Sequence, residues 1–349
     1  MAFSPSSRAQ PNSQMWNHLT LFVVATTLVL SVGQAADIEG CLDCGSDGSP
    51  GQVIRTLTPF ATGAWLENIA IRSNGDLLIT RLDVPELWTI SPNYAAKPRR
   101  LVRLSNATAL LGITEVERDV FVFTGGNVSL SSGQAKAGSW GIWTVDLHRR
   151  DAVLRKAVSV PGVQLLNGLT HLGDRFVLGA DSSAGAIVGI SLKSGSSRVL
   201  VSGKRFSAPD PTVLPIGVNG VKVNLVDRAM YFTNTGAGTL GRAFMNSSVE
   251  IETIVTGLPG PDDFVLAPWN STRLAFVALS GVSGIARVDL RDKSWKVIAK
   301  GPELQRVTAL AFGRTRGDER TLYAVTAGAR DAMNRALGPA KVLEIPFIA

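Results

Sequence analysis

The stretch Val218-Asn219-Gly220-Val221-Lys222-Val223 carries the pattern that decides the fold. An oxygen-bearing residue is followed by a small or polar residue and then by alternating apolar positions. The pattern recurs along the chain, with plainer copies at the second and sixth places, and the six copies begin at Glu67, Leu111, Asn167, Asn219, Asp262 and Thr308. Successive copies are 43 to 56 residues apart, which is the spacing of propeller blades.

Each copy is followed by further short apolar runs that are separated by Gly, Ser, Asn and Asp. In the fourth repeat, for example, residues 230–233 read Met-Tyr-Phe-Thr. Short runs rich in β-branched and aromatic residues and bounded by turn formers are typical of antiparallel strands. Four strands in each of six repeats predict an all-β fold, a six-bladed β-propeller. The last repeat is one strand short, so we expect the N-terminal run 52–57 to complete the sixth blade and close the ring.

The N-terminal segment differs from the rest of the chain. Arg8 is its only charge before residue 37, residues 19–32 are almost wholly apolar, and small residues follow at 33–35. This arrangement predicts a secretory signal over residues 1–35 and a secreted or lumenal protein. An uncleaved membrane anchor is the alternative. A short segment, 36–51, then leads into a single propeller domain predicted over 52–349.

Secretion determines how the two cysteines and the sequons are interpreted. Cys41 and Cys44 are the only cysteines, and in an oxidising compartment we expect them to form a small disulfide. A Cys-x-x-Cys redox centre is the alternative, but it requires a strand-to-helix context. Asn-x-Ser/Thr sequons fit the same route as candidate glycosylation sites, and they begin at Asn106, Asn127, Asn246 and Asn270.

Composition and charge narrow the range of partners. The chain is 45% hydrophobic and 18% charged, with a formal net charge of +7. Its basic clusters, at 97–103 and 148–155, fall on predicted outer strands, where Lys and Arg discourage edge pairing. No aromatic residues alternate with these charges and no nucleic-acid-binding module is evident. We therefore expect no nucleic-acid partner, and no stable membrane insertion once the signal is removed.

Four of the six pattern starts carry side-chain oxygens: Glu67, Asn167, Asn219 and Asp262. Equivalent positions of a propeller meet at one end of the axis, so two carboxylates and two amides would converge there. Such a set suits a hard cation such as Ca²⁺. Zinc is disfavoured because the predicted mature chain has only two histidines and no Cys/His cluster. The alternative is that these residues only serve turn geometry.

The same residues carry a family resemblance over almost the whole predicted mature chain. Glu67, Asn167-Gly168, Asn219-Gly220 and Pro261-Asp262, in this order, resemble the SMP-30/gluconolactonase-like six-bladed propellers. The resemblance implies a divalent cation, usually calcium, on Glu67, Asn219 and Asp262, with Asn167 as a direct or water-mediated ligand. It also implies that Asp262 is the general base of a lactone hydrolase.

Departures from that pattern weigh against lactone hydrolysis. Leu165 stands where the lactonases carry an arginine, Asn68 and Asp263 replace glycines, and the paired histidines of paraoxonase-type relatives have no counterpart. The stretches 65–75 and 261–264 instead resemble the fungal propeller proteins that act as hetero-Diels–Alderases. That resemblance implies cycloaddition of a quinone methide with a terpene alkene in secondary-metabolite biosynthesis.

Cycloaddition requires an apolar pocket and a few polar groups. We expect Trp65, Trp140, Phe206 and Phe264 to wall the pocket, with the loops 125–139, 206–216 and 327–340 around it. Arg81, Asp181 and Asn234, at the ends of second strands, are the candidate catalytic residues. The predicted partner is a small apolar metabolite, and no organic cofactor is expected. Calcium-dependent hydrolysis and a non-enzymatic small-molecule-binding propeller are the alternatives.

Overall fold

Six four-stranded antiparallel sheets build a six-bladed β-propeller, as the sequence predicts. The structure is a computed structural model, and it describes residues 53–92, 97–149, 151–173, 175–245, 250–268, 273–331 and 333–346. The predicted signal, Cys41, Cys44, Asn246 and Asn270 lie outside the described residues. In the part of the chain that is described, no helix is long and apolar enough to cross a membrane.

Within each blade the strands follow one another from the axis outward. The inner strands are β2 (Leu66–Ile71), β6 (Ala109–Glu117), β12 (Leu166–Gly173), β16 (Val218–Asn224), β20 (Pro261–Leu266) and β24 (Val307–Phe312). The second strands are β3 (Leu77–Arg81), β7 (Val120–Gly126), β13 (Phe176–Asp181), β17 (Ala229–Asn234), β21 (Leu274–Leu279) and β25 (Thr321–Thr326).

The third and outer strands complete the blades. The third strands are β4 (Glu86–Ile90), β10 (Gly141–Asp146), β14 (Ala186–Ser191), β18 (Thr239–Phe244), β22 (Gly284–Asp289) and β26 (Pro339–Pro346). The outer strands are β5 (Arg99–Arg103), β11 (Val153–Ser159), β15 (Ser197–Ser202), β19 (Ile251–Val255), β23 (Ser294–Lys300) and β1 (Arg55–Thr62). A short hairpin, β8 (Val128–Ser129) and β9 (Gln134–Ala135), lies in the first long loop, and a 3₁₀ turn spans Pro302–Leu304.

The ring is closed by the N-terminal strand. β1 pairs antiparallel with β26, so that Arg55 lies opposite Glu344 and Thr62 opposite Pro339. The inner strands β2 and β24 contact each other in the same way as the other neighbouring inner strands do. The predicted closure of the sixth blade is therefore confirmed. Joining the two ends of the chain in one sheet leaves no open edge between the first and last blades.

Every inner strand is irregular at the first residue of the repeated pattern. The pairing with the second strand jumps from Leu66 to Asn68 in the first blade and from Pro261 to Phe264 in the fifth, and the other four blades show the same irregularity. A bulge of this kind breaks the strict alternation of side chains across a strand. Two consecutive polar residues can therefore both reach the axis.

Glycine after the pattern start allows neighbouring inner strands to approach closely. A Cβ atom on Gly168 would lie 2.3 Å from the Asn219 carbonyl oxygen, and one on Gly112 would lie 2.3 Å from that of Asn167. Both glycines lie inside strands. The Asn-Gly pairs of the inner strands thus allow close packing between blades. They do not form turns at the strand starts, which is the alternative role considered from the sequence.

Candidate functional site

All six pattern-start residues meet around a cavity at one end of the propeller axis. The cavity has a volume of about 380 Å³. The residues at the pattern starts that line it are Glu67, Leu111, Asn167, Asn219, Asp262 and Thr308. Several residues two positions before the pattern starts also line the wall, namely Trp65, Leu165, Gly260 and Arg306. The repeat spacing thus places the floor of the site and part of its wall.

The three long loops supply a further part of the wall. Val128 comes from the loop predicted at 125–139, Leu214 and Ile216 come from 206–216, and Arg330 and Leu337 come from 327–340. The apolar residues among them form one apolar part of the wall with Trp65, Leu82, Leu111 and Leu165. Concave, largely apolar cavities with a few convergent polar groups are the usual form of small-molecule sites.

The cavity floor holds two carboxyl groups that are poorly solvated. Trp65 Nε1 donates to Glu67 Oε2 at 2.6 Å, and Asn219 Nδ2 donates to Asp262 Oδ1 at 2.9 Å. Burial, with the charge of Asp263 nearby, raises the pKa of Glu67 to about 7. Burial and the charges of Glu67 and Asp263 raise the pKa of Asp262 well above its usual value. The charge on each carboxylate therefore disfavours ionisation of the other carboxyl group when no cation is bound.

The chemistry of this donor set fits a hard cation. Among the described residues, no group of three His, Cys, Asp or Glu side chains is arranged to hold a metal, so the two amides are essential to such a site. Asn167 lines the cavity, and its side chain makes no hydrogen bond within the described residues. Glu67, Asn167, Asn219 and Asp262 would together offer only oxygen ligands, which Ca²⁺ prefers.

A second polar layer lies directly below the floor, and its groups are fully paired. Lys222 Nζ binds both carboxylate oxygens of Asp263, at 2.6 and 2.8 Å, and Asn68 Nδ2 donates to Asp263 Oδ2 at 2.9 Å. The backbone N–H of Phe264 donates to Asp263 Oδ1 at 2.8 Å. This cluster joins the first, fourth and fifth blades across the axis.

Two candidate catalytic residues instead hold loops in place. Asp181 is buried, and its carboxylate accepts hydrogen bonds from the backbone N–H groups of Gln164 and Leu165, at 2.9 and 3.0 Å. Asn234 is also buried, and its amide donates to the carbonyl oxygens of Arg205 and Ser207, at 3.0 and 2.9 Å. Neither residue lines the cavity. Their polar atoms fix the chain that enters the same blade, ahead of β12 and β16.

The third candidate, Arg81, lies outside the cavity as well. It forms ion pairs with Asp83 and Glu86, and its guanidinium lies 5.9 Å from the centre of the Trp88 ring. These contacts hold the turn between β3 and β4. The structure thus places all three residues in contacts with neighbouring loops and outside the cavity lining.

Of the four predicted wall aromatics, only Trp65 lines the cavity. Trp140 is 1% exposed and donates from Nε1 to the Gln164 carbonyl oxygen at 2.7 Å. Phe206 is fully buried against Phe232, with ring centres 4.4 Å apart. Phe264 is buried between blades. These three aromatics stabilise the fold around the cavity.

Two arginines in the wall were not predicted. The Arg330 guanidinium lies 4.7 Å from the centre of the Trp65 ring, and it donates to four backbone carbonyl oxygens, among them that of Gly63. Arg306 lies immediately before β24. Burial lowers the pKa of both groups. Arg306 could have been found from its place two residues before a pattern start, whereas Arg330 depends on how its loop folds.

Two of the predicted sequons fall within the described residues. Asn106 is exposed, and its Oδ1 accepts a hydrogen bond from Ser105 Oγ at 2.6 Å. Asn127 is half-buried at the start of the first long loop.

Comparison with known proteins gives a distant relative and many propeller structures. No family model matches the chain. A protein of Phoma sp. described as "Putative hetero-Diels-Alderase" is 23% identical, over 77% of this chain and 85% of the relative. This likeness agrees with the resemblance noted in 65–75 and 261–264, while membership of the SMP-30 family stays a prediction.

The solved structures support the fold. A luciferin-regenerating enzyme superposes with a TM-score of 0.61 at 14% identity, covering 85% of this chain and 96% of that one. Virginiamycin B lyase of Staphylococcus aureus gives 0.54 at 15% identity, covering 85% and 99%. A chain of the nidogen/laminin complex also gives 0.54, at 13% identity, covering 77% and 97%. Enzymes and a binding partner share the architecture, so function has to be argued from the cavity.

Proposed function

We propose that the protein is an enzyme of small-molecule metabolism that catalyses a hetero-Diels–Alder cycloaddition in the axial cavity, joining a quinone methide to a terpene alkene. The observation that carries the proposal is the cavity itself, whose lining combines large apolar side chains with several polar groups. The likeness to the Phoma protein supports the same reaction class.

The cavity offers what a cycloaddition requires of a protein. Leu111, Leu165, Leu214 and Ile216 line it, and apolar walls of this kind would hold two apolar partners together without water. Orientation of two reactants can supply about 7–11 kcal/mol of the barrier in favourable cases. Hydrogen-bond donors directed at the heterodiene oxygen would stabilise the charge that develops there. No acid–base group has to change its protonation state in such a reaction.

The test is the stereochemistry and rate of adduct formation with purified protein. A quinone methide generated in solution is mixed with a sesquiterpene alkene, and the protein should give one stereoisomer faster than the background reaction. Leu214→Trp, which fills the cavity from a loop, should lower this rate at least about tenfold because it displaces a bound reactant. Val199→Trp, on the exposed outer strand β15, is the control for the same added bulk. A racemic adduct at the background rate would reject the proposal.

A second candidate function is favoured by the four oxygen-bearing side chains of the floor. In this alternative the protein is a calcium-dependent lactone hydrolase, and Glu67, Asn167, Asn219 and Asp262 would hold the cation. A bound Ca²⁺ would supply Lewis acidity toward a lactone carbonyl. Asp262 would accept a proton from water, a role consistent with its half-buried side chain and raised pKa.

Chelation separates the two functions. Hydrolysis of a panel of aliphatic lactones should be lost with EDTA and in folded Asp262→Asn, whereas cycloaddition should survive EDTA. Lactone hydrolysis that persists in folded Glu67→Ala or Asp262→Ala protein would reject the metal-dependent hydrolase. If neither reaction occurs but the cavity still binds apolar metabolites, the protein is a small-molecule-binding propeller and both enzyme proposals fail.

The secretory route is a separate proposal. It predicts that protein recovered from the culture medium begins after the signal at 1–35, has Cys41 joined to Cys44, and loses mass when N-linked sugars are removed. Exposed Asn106 is the first sequon to test, by Asn106→Gln. Retention of residues 1–35 in membrane fractions would instead support the uncleaved anchor.

A further inference from the structure

Arg306 is the charged member of a ring of wall residues. The positions two residues before the six pattern starts are Trp65, Ala109, Leu165, Gly217, Gly260 and Arg306. Arg306 lines the cavity together with Trp65 and Leu165, and it precedes β24 in a left-handed backbone conformation with a φ of 50°. The guanidinium therefore shares the cavity wall with apolar side chains such as Trp65 and Leu165.

The hydrogen bonds of this guanidinium are incomplete. An arginine side chain carries five N–H donors, but the Arg306 side chain makes one hydrogen bond within the described residues, from Nη1 to Asn334 Oδ1 at a long 3.4 Å. None of the ion pairs among the described residues includes Arg306. Asp331 acts on it only at longer range. A half-buried cation with so few partners is costly unless a ligand supplies the acceptors.

Arg330 shows what a structural arginine looks like in the same wall. Its Nε, Nη1 and Nη2 donate to the carbonyl oxygens of Ala327, Asn334, Gly63 and Ala64. Those bonds tie the loop 327–340 to the turn before β2, and the guanidinium also covers the Trp65 ring. Arg306 has no comparable set of partners, although the two residues are close enough for the charge of Arg306 to lower the pKa of Arg330.

We infer that Arg306 binds the oxygen end of the substrate, a carboxylate, phenolate or conjugated carbonyl carried on an apolar ring. This deepens the proposed function and rests on it only in assuming that the cavity takes a small metabolite. A planar guanidinium can donate two parallel hydrogen bonds to such oxygens. In a cycloaddition the same contact would lie on the heterodiene oxygen, and the apolar wall would receive the rest of the molecule.

Binding of two simple probes tests this assignment without turnover. Salicylate carries anionic oxygens on an aromatic ring, and toluene carries a ring alone. Arg306→Gln should weaken salicylate binding about tenfold or more, as expected for loss of a hydrogen bond to a charged group, and should leave toluene binding unchanged. Arg306→Lys should restore part of the affinity. Arg198→Gln, which removes the same charge from exposed β15, should change neither.

Thermal stability separates a binding role from a structural one. Arg306→Gln should melt at or above the wild-type temperature, because it removes a poorly paired buried charge, whereas Arg330→Gln should melt lower. Failure of wild-type protein to bind salicylate, equal salicylate affinity in Arg306→Gln, or loss of both probes with a lower melting temperature would each overturn the inference.

Two further results would distinguish the binding role of Arg306 from the proposed cycloaddition. Arg306-dependent salicylate binding without any cycloaddition would support the binding site and reject the reaction. Full cycloaddition in Arg306→Gln would support the reaction and reject the role of Arg306.

Discussion

Two polar layers, one residue apart along the propeller axis, differ in how their groups are satisfied. In the upper layer Glu67, Asn167 and Asp262 border the cavity, and the pKa values of both carboxyls are raised. In the lower layer Lys222 and Asn68 pair with Asp263 across the axis. Buried polar groups that are fully paired stabilise a fold, while unpaired ones are retained mainly at sites of function. The contrast assigns stability to the lower layer and ligand binding to the upper one.

The largest expected effect follows from breaking the lower layer. Lys222→Met leaves the Asp263 carboxylate buried, 3% exposed, and close to two other acids without its cation. Removing one partner of a buried ion pair typically costs about 3 kcal/mol or more of the free energy of unfolding. Chemical denaturation should show this loss.

The double variant Lys222→Met/Asp263→Asn is the control for the lower layer, since it removes both charges. It should recover most of the lost stability. If Lys222→Met alone unfolds at the wild-type denaturant concentration, the lower layer is not the structural one.

The contribution of the upper layer to the free energy of unfolding should change with pH in the opposite direction to that of an ordinary ion pair. The pKa of Glu67 rises from 4.5 to about 7 on folding, so the folded state binds more protons between these values. The free energy of unfolding of chelator-treated protein should therefore fall as pH rises from about 4.5 to about 7, by about 3 kcal/mol at most from this residue. Glu67→Gln should lose that part of the slope and be the more stable protein at pH 8.

A cation gives the second readout on Glu67. Added Ca²⁺ should raise the melting temperature of wild-type protein at pH 8, less so at pH 5, and should not raise that of Glu67→Gln. Glu319→Gln, in an exposed turn, is the control for loss of one carboxylate. Equal pH slopes for wild type and Glu67→Gln would show that the floor is better solvated than its burial indicates.

The sequence predicts the blades well because each blade is encoded locally. The pattern starts, the strand runs and the turn residues all lie within one repeat, and the closing pair of β1 and β26 follows from the strand missing at the end. The ring of cavity residues follows too, since it needs only the repeat spacing. This part of the prediction required no knowledge of side-chain contacts between blades.

The parts of the candidate site that the sequence does not predict depend on the bulges and on contacts between blades. A bulge at each pattern start changes the side-chain alternation, which brings Asn68 and Asp263 to the axis as well as Glu67 and Asp262. The hydrogen bond from Asn68 to Asp263 joins residues 195 positions apart. Asp181 and Asn234 bind loop backbone and do not line the cavity, since polar strand ends serve loops and sites alike. No local pattern distinguishes these two uses.

The smallest expected effect on stability gives the sharpest test of the two layers, because the same change, Asn to Ala, is made once in each layer. Asn68→Ala removes a hydrogen bond to the buried Asp263 carboxylate and should lower the free energy of unfolding by about 1–2 kcal/mol. Asn167→Ala removes an amide that faces the cavity and should change it by less than about 0.5 kcal/mol. Calcium binding should instead weaken only in Asn167→Ala. A loss of stability in Asn167→Ala as large as in Asn68→Ala would place both layers in the structural core, and the upper layer would then have no claim to a ligand.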